Sequence, residues 1–374
     1  MVRFVHTSDW QLGMTRRFLP AEAQPRFTAA RLEAIRTIGD VARRSRADFV
    51  LVAGDVFESN MVDRRLVMRA LEALKEASCP FYLLPGNHDP LDAGSVYTSP
   101  LFTANCPPNV TVLDGTPLQP VPGVTLLSAP WRSKKPTADA LAPVYRQLEE
   151  CAGPAIVVGH GQLDYLAPDP EKPEIIRFAD AEAALAAGAL YVALGDRHSR
   201  HQAGSSGRIW YSGAPEPTDF DEDDPGLVLC VELDGPEISV EPAKVGTWRF
   251  TGQRAAVDTP ADLARLRAWL EGLPSKDRTI LKLGFEGTID LSVAAELDAI
   301  IEDMRPMFAA IERRERDSDL VVLPSEMDFS ALGLSGFAAS AVRELADAAA
   351  APGAGAREAR DALGLLLRLA RGAA

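Results

Sequence analysis

Short apolar runs recur along the first half of the chain, and each stops abruptly at polar side chains. In order they are RFVHTSDWQ, DFVLVAGD, PFYLLPGNHD, PAIVVGH and LYVALGDRH. Runs this short, rich in Val, Leu, Phe and Tyr and closed by Gly or a polar turn, predict buried strands rather than helices. Between them lie stretches such as PRFTAARLEAIRTIGDVARRS and DRRLVMRALEALKEA, whose apolar residues return at helical spacing. Strand and helix in alternation predict a layered α/β domain over residues 1–245.

The pattern then changes. A strand-like TWRFTGQRAAV leads to a helix marked by Thr259 as cap and Pro260 in its first turn, then to TILKLGF, a helix around AAELDAIIEDM, and DLVVL. Residues 246–323 therefore read as a small α+β module without a cluster of ligands. From residue 335 to 374 the spacing predicts two amphipathic helices, around Phe337, Val342 and Leu345 and around Leu363, Leu366 and Leu367, joined by AAAPGAGA. Their apolar faces fit self-packing and partner binding equally well.

The polar residues that close the five runs are Asp9 and Gln11, Asp55, Asn87 and His88, His160, and Asp196 and His198. Loops at the carboxyl ends of strands sharing a sheet lie side by side and form a ligand crevice. Oxygen and imidazole donors without thiolate suit manganese, magnesium, iron or zinc, and so many are enough for two ions. Of the five histidines, His88, His160 and His198 fall inside these clusters, whereas His6 and His201 flank them and read as structural or solvent-facing. Asp89 fits a turn cap and a supporting carboxylate equally, and Trp10 reads as packing beside the site. Cys79, Cys106, Cys151 and Cys230 are scattered without CxxC spacing, which predicts small buried hydrophobes rather than disulfides or a zinc knuckle.

A net charge of -14 is unusual for a protein that handles nucleic acid, so its distribution matters. Residues 1–160 carry 17 Lys and Arg against 16 Asp and Glu, and residues 161–374 carry 22 against 37, so the excess acid lies in the second part. In the near-neutral first part Arg16 and Arg17, just after the first ligand cluster, are the candidates for substrate phosphate. No stretch approaches the ~20 apolar residues of a membrane span, and the first strand begins at once, which predicts a soluble cytoplasmic protein with no membrane association.

In order, the clusters resemble the five motifs of the calcineurin-like metallophosphoesterases, with GNHD the most specific single match. The opening HTSDWQLG and the later YSGAPEPTDFDEDDPG resemble, more narrowly, the DNA repair exonucleases of the SbcD type. The resemblance covers residues 1–245 well and the α+β module weakly. It implies a four-layer α/β/β/α sandwich, a small capping domain, and a helical tail placed where relatives bind an SMC-like ATPase. It further implies two divalent ions, manganese first and magnesium second, bridged by Asp55. Asp9, Gln11 and His198 complete one site and Asn87, His160 and Asp196 the other. His88 is implied as the group that protonates the leaving oxygen, with Glu58 orienting it. Two positions depart from the family: Gln11 stands where His is usual, and Asp196 replaces the first His of a Gly-His-x-His motif. A neutral amide oxygen should hold its ion more loosely, and the added carboxylate should favour manganese or magnesium over zinc.

Three functions fit this reading. The first is a metal-dependent DNA exonuclease or endonuclease working with an SMC-like ATPase partner of the SbcC type, with a homodimer as a further expectation. The second is a phosphodiesterase of small nucleotides, and the third a non-catalytic scaffold subunit with a degenerate metal site.

Overall fold

The computed structural model describes residues 1–374 except 140, 152, 315, 317, 324–335, 352–354, 357, 360, 361, 364 and 366–374. The chain divides into two units, residues 1–17 with 21–248, and residues 18–20 with 249–374.

In the first unit the apolar runs become strands of two sheets rather than one. Strands β1 (Val2–Thr7), β2 (Phe49–Val52), β3 (Phe81–Leu83) and β4 (Val110–Val112) run parallel, and the hairpin of β11 (Leu227–Asp234) and β12 (Glu237–Lys244) extends them in the order β12-β11-β1-β2-β3-β4. The second sheet has the order β5-β6-β7-β8-β10-β9, built from β5 (Leu118–Val121), β6 (Val124–Ser128), β7 (Ala155–His160), β8 (Ala189–Gly195), β9 (His201–Ala203) and β10 (Ile209–Tyr211). Their inner faces share one core, in which Phe4, Phe49 and Leu51 meet Leu126, Ile156, Val158 and Tyr191. Phe4 stacks on Phe49 with ring centroids 5.2 Å apart and meets Tyr191 edge-on at 5.4 Å. Burying each such side chain contributes about 1.5–3 kcal/mol.

Helices cover the outer faces, which is why β2 and β7 are buried at every position. The helices α1 (Ala23–Ser45), α2 (Arg64–Lys75) and α3 (Pro100–Asn105) pack on the first sheet through Ile35, Ile38, Val67, Leu71 and Phe102. On the second sheet lie α4 (Ala142–Glu150) and α5 (Phe178–Ala186), through Val144, Leu148, Ala181 and Ala184. The result is a four-layer α/β/β/α sandwich.

The second unit has its own sheet, with β14 (Thr279–Asp290) between β13 (Arg249–Ala256) and β15 (Ala310–Arg313), and β16 (Asp319–Leu323) also pairing with β14. The helices α6 (Pro260–Gly272) and α7 (Leu291–Met304) bury Leu263, Leu266, Leu297 and Ile301 with Leu281, Leu283 and Phe285. Helix α6 starts at a capping box, where Asp262 accepts from the backbone N–H of Thr259 at 2.8 Å. In the tail, α8 (Phe337–Ala350) buries Val342 and Ala346 but leaves Phe337 90% exposed, so Phe337 is not on the buried face that the spacing predicts. Leu363 is buried, while Leu366 and Leu367 lie outside the described residues. Of the four cysteines only Cys79 is buried; the other three are half-buried, and all four are free. No helix among the described residues is long and apolar enough to cross a membrane.

Candidate metal centre

Each polar cluster occupies the loop after its strand: Asp9 and Gln11 after β1, Asp55 after β2, Asn87 and His88 after β3, His160 at the end of β7, and Asp196 and His198 after β8. Four residues therefore come from the first sheet's side of the sandwich besides His88, and three from the second's. The first two loops are tied together by their backbones. Asp9 N–H donates to the Gly54 carbonyl at 3.0 Å, Gln11 N–H to the Asp55 carbonyl at 2.9 Å, and Leu12 N–H to the Val56 carbonyl at 2.9 Å.

That tight arrangement bends the chain hard. Asp9, Gln11, Asp55 and Asp196 all have positive φ, at 55°, 44°, 53° and 91°. This backbone region costs non-glycine residues energy and persists where the surroundings impose it, commonly at functional sites. Two glycines allow the close approach. A Cβ on Gly54 would lie 2.1 Å from His160 Nδ1, and one on Gly86 would lie 2.1 Å from Asp55 Oδ1.

The side chains converge. Ligand atoms of Asp9, Asp55 and His160 lie within 4.8 Å of one another, all buried. His160 Nδ1 donates to the Ala53 carbonyl at 2.8 Å, so its Nε2 is the atom turned to the centre. That Nε2 faces oxygens on three sides: Asn87 Oδ1 at 3.0 Å, Asp55 Oδ2 at 3.4 Å and Asp196 Oδ1 at 3.7 Å. On the other side His198 Nε2 lies 3.0 Å from the Gln11 amide and 3.9 Å from Asp9 Oδ1. Gln11 Oε1 is buried without a hydrogen-bond partner among the described residues. Carboxylate and amide oxygens and imidazole nitrogens gathered this closely, with a buried amide oxygen among them, suit cations, so the residues present fit divalent metal ions.

Electrostatics agree with this fit. Burial pushes the Asp9 carboxyl up to about 6, with His160 and His198 opposing the rise. Burial alone would raise Asp55 as well, but His160 and His88 outweigh it and hold that carboxyl below its ordinary range. Burial would depress His160, yet Asp55, Asp9 and Asp196 lift it well above an ordinary imidazole. Bound cations reverse such penalties by supplying the charge that buried carboxylates lack.

His88 stands outside the ligand set. Its backbone N–H donates to Asp55 Oδ1 at 3.0 Å, while its Nε2 lies 3.9 Å from Asp55 Oδ2. Glu58 holds the ring differently from the sequence expectation. His88 Nδ1 donates to the backbone carbonyl of Glu58 at 3.1 Å, and the Glu58 carboxylate is farther away at 4.0 Å. Asp89 fastens the loop: it accepts from Phe57 N–H at 2.9 Å, Gly86 N–H at 2.8 Å and the Tyr97 hydroxyl at 2.6 Å. Trp10 is buried and donates to Thr7 Oγ1 at 3.0 Å. His6 is buried with its Nδ1 3.0 Å from the Tyr191 hydroxyl, and His201 meets the Tyr165 hydroxyl at 3.0 Å. Arg16 donates to the Thr218 carbonyl and lies 3.9 Å from Asp219, whereas Arg17 is exposed.

Four supporting residues, Thr218, Glu222, Tyr211 and Trp131, are not among those singled out from the sequence. His198 Nδ1 donates to Thr218 Oγ1 at 2.6 Å, Thr218 donates in turn to Glu222, and the Glu222 carboxylate lies 3.3 Å from the same Nδ1. Burial would lower His198, but the bond to Glu222 and the charge of Asp9 raise it to about 8. The Tyr211 hydroxyl donates to the Gly161 carbonyl at 2.9 Å and accepts from Leu163 N–H at 2.9 Å, fixing the loop after His160. The Trp131 indole donates to the His160 carbonyl at 2.6 Å. Tyr211 and Glu222 both lie in the YSGAPEPTDFDEDDPG stretch, whose likeness to nucleases was the available signal.

The chain is similar to known proteins. The calcineurin-like phosphoesterase profile matches residues 2–231. The chain is 26% identical over 263 residues to the DNA double-strand break repair protein Mre11 of Aeropyrum pernix, covering 66% of this chain and 61% of that protein. It is 27% identical over 255 residues to the SbcD component of the nuclease SbcCD of Escherichia coli K12, covering 59% and 62%. A shorter match to Mre11 of Archaeoglobus fulgidus has 32% identity over 91 residues, 24% of this chain and 19% of that protein. The chain thus spans less than two thirds of the length of these curated relatives. Among solved structures, a dimetal phosphatase from Danio rerio aligns at 14% identity with a TM-score of 0.45, covering 65% of this chain and 96% of that one.

Proposed function

Because the chain belongs to the calcineurin-like phosphoesterase family, we propose that it is a two-metal phosphodiesterase acting on DNA as an exonuclease or endonuclease in repair. The observation that carries this reading is the cluster of Asp9, Asp55 and His160, with Asn87 and Asp196 against His160, Gln11 and Asp9 against His198, and His88 beside them. Asp9, Gln11, Asp55 and His198 would hold one ion, and Asp55, Asn87, His160 and Asp196 the other. Manganese or magnesium suits a donor set so rich in oxygen. Bound ions would supply positive charge to the phosphodiester and acidify the attacking water.

The chain's own residues do the rest. Ala53 and Thr218 hold the two ligand imidazoles with Nε2 inward. The Glu58 carbonyl keeps the His88 Nδ1–H occupied, which leaves Nε2 as the atom that meets the leaving oxygen and gives it a proton. Acid catalysis of this kind is worth about 10²- to 10⁴-fold. One relative named as a DNA double-strand break repair protein and another named as a nuclease subunit support DNA as the substrate, and the subunit designation supports a partner chain, which the sequence resemblance makes an SMC-like ATPase. Linear duplex DNA and a small chromogenic phosphodiester, each given with manganese, test the reading. DNA should be degraded and Asp55→Asn should be inert. Hydrolysis of the small diester alone would instead favour a small-nucleotide phosphodiesterase, and binding of manganese without hydrolysis of either would leave the scaffold role.

A further inference from the structure

Three cavities adjoin one another through Asp196 and Trp131. The two that touch Asp196, about 250 and 300 Å3, bring in the carboxylates of Asp169, Glu174, Asp221 and Glu222 against the cations of Lys172 and Arg197. Across Trp131 lies a larger one of about 520 Å3, between the end of β6 and the first turns of α4, lined by Ser128, Trp131, Arg132, Arg146 and Gln147. Its charge differs. Arg146 has no ion pair or hydrogen bond among the described residues, and Arg132 gives one N–H group to the Asp114 carbonyl. The carboxylate of Asp139 on the same wall is engaged by the backbone N–H groups of Leu141 at 2.7 Å and Arg177 at 3.2 Å. Ser128 is 1% exposed and its hydroxyl lacks a partner among the described residues, as does the buried Gln147 Oε1. Unpaired buried polar atoms are rare in a finished interior and common where a ligand completes the bonding.

We propose that this cavity is a nucleotide subsite, taking a nucleoside 5′-monophosphate unit, free or at the end of a strand. Its phosphate faces Arg132 and Arg146, its polar edges meet Ser128 and Gln147, and its apolar surface lies along Trp131 and Pro130. The volume falls within the usual 300–1,000 Å3 of ligand sites. Trp131 also lines the cavity that holds Asn87 and Asp196, so a nucleotide here sits one wall away from the metal centre. The subsite rests on the phosphodiesterase reading of that centre, and it gives a polyanion leaving acid-lined cavities a cationic place to hold.

Binding can be measured on the full chain freed of metal, which keeps the subsite apart from catalysis. Thymidine 5′-monophosphate should saturate one site and change the fluorescence of Trp131. Arg132→Glu and Arg146→Glu should each weaken it by about 10-fold or more, and thymidine or inorganic phosphate alone should bind at least about 10-fold more weakly. Trp131→Phe should bind but lose the fluorescence change. A 5′-phosphorylated thymidine tetranucleotide that competes supports a strand end, and one that does not supports a free nucleotide. No saturation at millimolar concentration, unchanged affinity in both arginine variants, or equal binding of inorganic phosphate would overturn the subsite even if manganese-loaded protein degrades DNA. Conversely, binding can be found in a protein that degrades none.

Discussion

The two inward-facing imidazoles are held by different means. His160 is fully buried and hangs from a main-chain carbonyl, that of Ala53 just after β2. His198 is 29% exposed and hangs from side chains, Thr218 and Glu222, in the loop after β10. A backbone anchor survives any substitution that spares the fold, whereas a side-chain anchor can be lost by one mutation. The half of the centre around His198 is thus the adjustable half, and it is also the half in which Gln11 replaces the family's histidine.

Asp55 belongs to both halves, so Asp55→Asn should erase the distinction. Turnover should fall at least about 10³-fold, because one charge is removed from two sites, while circular dichroism still reports a folded chain. Near-normal turnover would end the two-metal scheme. His88 belongs to neither half. His88→Ala should lower turnover by about 10² or more with metal content unchanged, and loss of metal would show that His88 is a ligand after all. The contrast itself is tested at Glu222. Glu222→Gln should weaken one of two manganese-binding events by about 10-fold and leave the other alone. Two equally weakened events in calorimetry would mean that the halves do not differ.

Gln11→His should act in the opposite direction on the same half, lowering the manganese needed for half-maximal occupancy a few-fold. An unchanged titration would show that position 11 does not face the ion. The smallest effect concerns the loop around both halves. Burial and the nearby Asp55 charge push Asp89 up to about 6, above its ordinary 3.8. A raised acid favours folding in its protonated form, so this contribution is full below about pH 4 and lost as pH rises to about 6. The Tm of the metal-free chain should fall across that window, and Asp89→Asn should flatten the fall. Parallel curves for the two proteins would assign the slope to other groups.

The convergence of the candidate residues was legible because they follow apolar runs, and a run that ends in GD or GNHD marks a strand whose loop carries polar side chains to the end of a sheet. What reached across the sequence was not legible. Strand spacing alone reads the same for one sheet and two; the two-sheet sandwich came from the resemblance, and the strand pairings show it, with Phe4 edge-on to Tyr191 in the shared core. Arg31 lies in a helix that reads as amphipathic, yet it is buried and donates to the carbonyls of Trp10 at 2.9 Å and Pro217 at 2.8 Å. Glu222 sits in an acidic run, where any carboxylate looks solvated until the loop folds it against His198. The Glu58 carbonyl is invisible to residue-type reasoning, because every residue has one.

Donors come from both sheets, so the centre is also a rivet. Asp9, Gln11, Asp55 and Asn87 ride on one sheet's loops, His160, Asp196 and His198 on the other's, directly above the shared core of Phe4, Leu51 and Val158. A cation held by these groups, as proposed, would pull the ends of the two sheets toward each other, and its affinity would include the elastic work of closing that edge. By linkage, anything that pries the sheets apart loosens the metal, and metal depletion lets the edge breathe. Hydrogen exchange at the ends of β1, β2, β7 and β8 would register the tightening of the rivet as slower opening, at a distance from any substrate.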